Sequence, residues 1–445
     1  MTPYESKNGY YMPASGEVRI LFVFYEVNYT GGTDPTLPTN PSSRWQPHQL
    51  PTWANQIADA FNPGNEIASG LLTRYFQLAS SGNYIVLGDY LLAPNNGGIF
   101  SVNSSTGYVG PTQAIAAVNA ALGTNIVTGN GFTSITDFDK WTIGTSTTGP
   151  GQPKITPSTE SPNKYDHVMF ICRNSIGNNG TGYAAWALPS NMLGFQANTH
   201  SNLGAYDKLP FNIIRHEFSH MIYGGNNFHC GGGGWGLENY WIPLESGWSN
   251  MSLYNGSLNS WNAWDRLRLD WKVTGSSYGI SARNANNTAF VNGDLDATVA
   301  SQAGTYTLRD FVLFGDALRI KLPFIDPATE FPMFLWIENH QGRNVNEVEF
   351  DKWLHEADTT CVQPVIPGLY AYMQVDKEVR SGTSDSVVYY GYADYLRPIT
   401  ADGFWDRENE STQVFNPCVQ WGNTNAFIRI SPNPLTGGGD QDYNS

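Results

Sequence analysis

The pentad His216-Glu217-Phe218-Ser219-His220 constrains this 445-residue chain more than any other stretch. It lies within Phe211 to Tyr223, where apolar residues recur with helical spacing, and Gly224-Gly225 ends the pattern. Histidines four apart stand one helical turn apart on one face, so both imidazoles can reach a single metal ion. Glu217 flanks such an ion without binding it, placed to take a proton from a water whose pKa zinc lowers to about 7. With 8 His and 16 Glu in the chain, composition alone delivers this pentad about 0.005 times per chain.

A catalytic zinc site takes three protein ligands and keeps a fourth position open. His229 is the leading third ligand, because three of the eight histidines fall within residues 216–229 and the double glycine lets the chain turn back. Glu238 and Glu245, each giving a His-His-Glu set, and the Cys230 thiolate stay open as alternatives. His340 and His355 read as surface or packing residues. Loop carboxylates such as Asp137 with Asp139, or Asp294 with Asp296, leave calcium open as a second ion. No D-x-[DN]-x-[DN]-G loop is present, so ordinary solvated carboxylates are the main expectation for them.

The strand and helix signals divide the chain into an α/β first part and a β-rich second part. Strands are expected over 18–27, 84–90 and 165–172, with helices over 65–80 and 111–122. Pro111 suits a first helical turn and Gly123 a helix end. Residues 142–164, rich in Gly, Thr, Pro and Ser, read as an exposed loop, and 182–188 as a short strand. Beyond about 272, short strand-like runs such as 305–314, 317–322, 331–337 and 369–375 suggest a sandwich. The expectation is α/β (α+β): a twisted mixed sheet with the pentad helix over 1–272, then a β-rich sandwich-like domain over 273–445. Packing of the second domain back on the first stays open.

Only 14% of residues are charged, with a net charge of -15. That acidic balance argues against a nucleic-acid partner, and no apolar run is long enough for a membrane span. Met1-Thr2-Pro3-Tyr4-Glu5 lacks the cationic and apolar regions of a signal peptide. The neutral-polar composition nevertheless suits an exported protein, so the sequence reads as a mature form with its leader removed. Four cysteines, at 172, 230, 361 and 418, allow three pairings. Cys172 with Cys230 and Cys361 with Cys418 is one of them, and buried thiols are the alternative.

H-E-x-x-H, then glycine, a third His and a later Met before a helix, resembles the metzincin clan of zinc peptidases. Within it the chain is similar to the immune inhibitor A family of secreted bacterial metallopeptidases. The likeness is carried by Leu72 to Gly82 with Gly88-Asp89-Tyr90, by Trp248 to Ser252 with Leu258 to Trp271, and by Glu330 to Asn339 with Pro367 to Tyr372. It spans roughly residues 18–376. The metzincin pattern places Gly at 223 and the third ligand at 226, but Tyr223 and Asn226 stand there, so His229 requires a turn about three residues longer. The resemblance implies a zinc endopeptidase with Glu217 as general base and His216, His220 and His229 as metal ligands. It further implies Met251 as an apolar floor under the metal. Tyr254 could stabilise an oxyanion through its phenol, although it stands three residues after Met251 where metzincins with such a tyrosine place it two residues after the Met. The partner implied is a protein or peptide substrate met by a monomer outside the cell or at its surface. Two rivals stand beside it: a zinc-containing adhesin or glycan binder without hydrolytic activity, and a peptidase restricted to glycoproteins.

Overall fold

The computed structural model describes residues 12–31, 45–105, 109–123, 125–143, 155–157, 164–174, 182–204, 210–223, 250–251, 257–258, 261–325, 332–341, 352–354, 363–364, 368–377, 394–399, 404–405 and 441–442. The chain divides into two compact units. One comprises Ser6–Gln77 and Gly82–Asn226; the other comprises Asn227–Ser445 with Met1–Glu5 and Leu78–Ser81. The position near 272 where the sequence changes texture falls inside the second unit. Both units mix strands with few helices, an α+β composition.

The first unit is built on β1 (Gly16–Tyr29), α1 (Leu71–Ala79), β2 (Tyr84–Tyr90), β3 (Phe100–Ser104), α2 (Pro111–Leu122), β4 (Lys164–Cys172), β5 (Gly182–Trp186), β6 (Gln196–Gly204) and α3 (Phe211–Tyr223). The strands lie in the order β2-β1-β4-β6-β5, with β3 continuing the β2 side of β1. All pair in parallel except β5, the antiparallel edge. Parallel central strands are buried on both faces, which explains the nearly unbroken apolar run of β1.

Alternation along the strands sorts two layers of helix. On one face α1 and α3 meet: the Phe76 ring lies 5.5 Å from both Tyr84 and Phe218, and Thr73 Oγ1 donates to the Val86 carbonyl at 2.6 Å. On the other, Ala114, Ile115, Val118 and Leu122 of α2 join Leu21, Val23, Tyr25, Val168 and Phe170 in one core. Gly123, at φ 64°, closes α2 as its sequence predicts.

Helix α1 is shorter than the periodicity suggests, starting at Leu71 rather than near 65. Asp59 accepts the main-chain N–H groups of Ser69 and Gly70 at 2.9 and 2.8 Å, and Gln77 Oε1 accepts that of Ala68 at 3.0 Å. These side chains satisfy the preceding segment as a loop. Gly70 also passes so close to the Ala58 main chain that a Cβ would lie 2.4 Å from it.

In the second unit β7 (Asp294–Asp296), β8 (Ala317–Ile325), β9 (Pro332–His340), β10 (Gly368–Lys377) and β11 (Asp394–Ile399) form a five-stranded sheet in that order. Only the β7–β8 pairing is parallel. The run 305–314, read as a strand, is instead a two-residue strand, Tyr306–Thr307, and a short helix, Phe311–Phe314, capped by the Asp310 carboxylate. Helix α4 (Ala263–Arg268) begins at a capping box in which Asn262 and Asp265 bond each other's main-chain N–H.

Candidate metal centre

Helix α3 carries the pentad, and every residue from Ile213 to Tyr223 is buried. His216 and His220 are each 2% exposed, with ring centroids 4.6 Å apart and planes at 84°. That separation of adjacent-turn imidazoles suits two ligands on one ion, for which each metal–nitrogen bond is about 2.0–2.1 Å. Glu217 is equally buried, and its Oε2 has no hydrogen-bond partner among the described residues. Burial pushes this carboxyl up to about 8. An orphaned buried carboxylate oxygen on the same helix as two imidazoles set edge-on fits a divalent cation, whose charge offsets the cost of ionising it.

The surroundings fix the helix from several sides. Arg215, 2% exposed, sends Nη1 to the Tyr75 hydroxyl at 3.3 Å and lays its guanidinium 5.4 Å from that ring's centre. Phe211 meets Tyr75 edge-on at 5.6 Å. The Met12 N–H reaches the Met221 carbonyl at 3.0 Å, satisfying an acceptor in the last turn.

From the sheet, a chain of side chains on β4 and β6 rises to the helix backbone. Thr199 Oγ1 lies 3.3 Å from the Asp166 carbonyl and 2.8 Å from His167 Nδ1. Ser201 Oγ lies 2.9 Å from His167 Nε2 and 3.3 Å from the Glu217 carbonyl. His167 is fully buried, and burial pulls its pKa down to about 3, so the ring is neutral. Ser201 did not stand out in the sequence, because β6 reads Gln-Ala-Asn-Thr-His-Ser-Asn-Leu-Gly, without an apolar pattern, and His167 sits inside the apolar run of β4.

Of the other sequence candidates, His229, Cys230, Glu238, Glu245 and Tyr254 lie outside the described residues. Met251 is fully buried, and its neighbour Asn250 donates its main-chain N–H to Asp265 Oδ2 at 3.0 Å. Among the described residues no three His, Cys, Asp or Glu cluster as a metal site. The loop acids have other partners. Asp137 accepts the Thr133 and Ser134 N–H groups, and Asp296 pairs with Lys321 at 3.0 Å. Asp294 faces Arg319 at 3.5 Å. Cys172 is buried beneath α2, while the partner considered for it lies outside the described residues.

The Gly88-Asp89-Tyr90 block has a structural reading. A Cβ at Gly88 would lie 2.6 Å from the Phe22 ring, and the buried Asp89 carboxylate accepts the main-chain N–H groups of Tyr90, Asn130 and Phe132. It clamps the loop after α2 to the end of β2. Among the described residues, no helix is long and apolar enough to cross a membrane. No protein-family model matches the chain, and no curated protein matches it.

Proposed function

We propose that the chain is a zinc-dependent endopeptidase of metzincin type, similar to the immune inhibitor A family, working as a secreted monomer on protein or peptide substrates. The observation that carries the reading is the buried trio on α3: two imidazoles 4.6 Å apart with the unpartnered carboxylate oxygen of Glu217 between them in sequence. An inert structural metal site has no use for that acid, whose desolvation costs stability without a partner.

His216 and His220 would hold the metal, with His229 as the third ligand. Zinc, when bound, supplies Lewis-acid polarisation of the scissile carbonyl and acidifies a water. Glu217 takes the proton of the attacking water and passes it to the leaving amine. Tyr254 is the proposed donor to the oxyanion, and Met251 the apolar support of the site. The non-hydrolytic adhesin and the glycoprotein-restricted peptidase are the competing functions.

Glu217→Gln keeps the shape of the side chain and removes the base. The expected result is zinc retained near one per chain with chelator-sensitive digestion of an unstructured protein abolished. Cleavage undiminished in this variant overturns the general-base assignment. Absence of cleavage by wild type across unstructured and glycosylated proteins overturns the peptidase reading. His229→Ala tests the third ligand, since unchanged tight zinc binding removes His229 from the set.

A further inference from the structure

The sheet face opposite α3 carries a cleft of about 480 Å³. Tyr183, Ala185 and His200 line it, and they alternate along β5 and β6 with the residues that face α3. Its other wall is the first turn of α2, with Thr112 and Gln113. None of the ten lining residues is Asp, Glu, Lys or Arg.

His200 is only 5% exposed, and its Nδ1 pairs with the Ala187 carbonyl. A carbonyl can only accept, so Nδ1 carries the hydrogen and Nε2 is an acceptor. Nε2 makes no hydrogen bond among the described residues. Burial lowers the pKa of this ring, which keeps it neutral. At the start of α2, Gly110 brings no capping side chain, and Pro111 has no N–H. Gln113 Oε1 takes the Gly110 N–H, and the Gln113 N–H turns to the Gly110 carbonyl. The Thr112 N–H is left without a partner among the described residues. The cleft therefore offers one acceptor on a buried ring, main-chain and amide donors at a helix N-terminus, and the Tyr183 ring.

A ligand for this wall must donate to His200 Nε2 and accept from Thr112. A hydroxyl does both. A carboxylate brings only acceptors, so its lone pairs would oppose that of His200, with no cation in the cleft and a net charge of -15 on the chain. We propose that this cleft is a binding site for a neutral saccharide unit, held by its hydroxyls between His200 Nε2 and the Thr112 N–H and laid against Tyr183. A few placed polar groups around an apolar surface are the usual make-up of such a site. The proposal is independent of the peptidase reading, since no residue of α3 lines the cleft.

Saturation-transfer NMR on the full chain tests it, with the methyl glycosides of glucose, galactose, mannose and N-acetylglucosamine as probes and acetate as the anionic control. At least one glycoside is expected to bind, with a Kd on the order of 1 mM, and acetate is not. His200→Phe, which removes the acceptor, should weaken binding at least about tenfold, while His200→Gln, which restores one, should recover part of it. Competition by a glycosylated protein but not by its deglycosylated form assigns the sugar to a glycoprotein. Competition by neither assigns it to a free saccharide, and either result supports the saccharide class. No transfer to any glycoside, acetate binding in the cleft, or His200→Phe binding as tightly as wild type overturns the proposal.

Discussion

The Ser201 hydroxyl lies 3.3 Å from the main-chain carbonyl oxygen of Glu217, so the central sheet grips the candidate catalytic helix at the residue before Phe218. That hydroxyl belongs to a row of four links, from the Asp166 carbonyl through Thr199, His167 and Ser201 to Glu217. Thr199, neutral His167 and Ser201 supply one hydrogen each, one fewer than the links. With hydrogen on His167 Nε2, Ser201 is released to donate to Glu217; with hydrogen on Nδ1, Ser201 donates to the ring instead. Ser201→Ala removes the donor in either state, from the Glu217 carbonyl in the first and from the His167 ring in the second. We expect a stability loss of about 1 kcal/mol by urea denaturation, and a fall in kcat larger than any change in KM. Unchanged kinetics in a destabilised variant would mean that Ser201 supports the fold alone.

His167 also gives the fold an acid-sensitive component. Its folded pKa of about 3 lies below the ordinary 6.5, so the unfolded chain binds the extra proton first. Its contribution is fully present above 6.5 and is lost as pH falls from there through about 3, amounting to a few kcal/mol. Asp166 and, without metal, Glu217 act in the opposite direction, since burial raises both to about 8. The test is therefore a difference: urea midpoints of wild type minus His167→Gln, followed from pH 7 to pH 4. That difference should shrink as pH falls, and a constant difference would sink the prediction.

Bound metal should offset the desolvation of Glu217 and add stability by mass action. At zinc a hundredfold above its dissociation constant the gain is about 2.7 kcal/mol. Chelator-treated protein is expected to unfold at lower urea, and added zinc to restore the midpoint. His216→Ala and His220→Ala should lose that response, because each removes one of the two imidazoles. A zinc-independent midpoint in wild type would contradict metal binding on α3.

The strands and helices that position α3 were largely readable because their signals are local. Apolar runs gave β1, β2 and β4, and Pro111 with Gly123 bounded α2. Strand β6 was not readable. Asn198, Thr199, His200, Ser201 and Asn202 are all buried, yet each is polar. Such residues enter a core only when partners elsewhere in the chain satisfy them, as His167 does for Thr199 and Ser201, and as the Tyr25 hydroxyl does for Asn202 Oδ1 at 3.0 Å. Those partners lie 32 to 177 residues away in sequence, beyond the reach of any periodicity. The start of α1 failed for a similar reason, because Asp59 and Gln77 hold residues 68–70 out of the helix. The pentad was legible because its chemistry is written in four residues of spacing.

Gly70 tests how tightly that segment is held. Its ideal Cβ would lie 2.4 Å from the Ala58 carbonyl carbon and 2.5 Å from the Asp59 nitrogen, both main-chain atoms that cannot rotate away. Gly70→Ala should cost about 1–3 kcal/mol by overpacking, despite the lower chain entropy alanine brings. Asp59→Ala, which uncaps Ser69 and Gly70, should cost about 1 kcal/mol. Because both act on one contact, the double variant should lose less than the sum, as read from urea midpoints.

In the second unit the fully buried Glu338 ties a helix to a sheet. Its Oε1 accepts the Ala263 N–H at 2.6 Å, at the first residue of α4, and the hydroxyl of Tyr372 on β10. Its Oε2 meets His340 Nε2 at 2.9 Å, so all three donors converge on one carboxylate. Burial, together with contact with Glu338, raises the Tyr372 pKa, which keeps the phenol a donor. Replacing the carboxylate with an amide substitutes an NH2 for one acceptor oxygen, and whichever donor faces it loses its partner. Glu338→Gln should therefore cost about 1.5–3 kcal/mol, the range for a hydrogen bond to a charged group, and Tyr372→Phe about the same. Since the two changes remove a shared interaction, their double-mutant cycle should show a coupling of at least about 0.5 kcal/mol. Additive losses in urea denaturation would show that Tyr372 and Glu338 stabilise the unit independently.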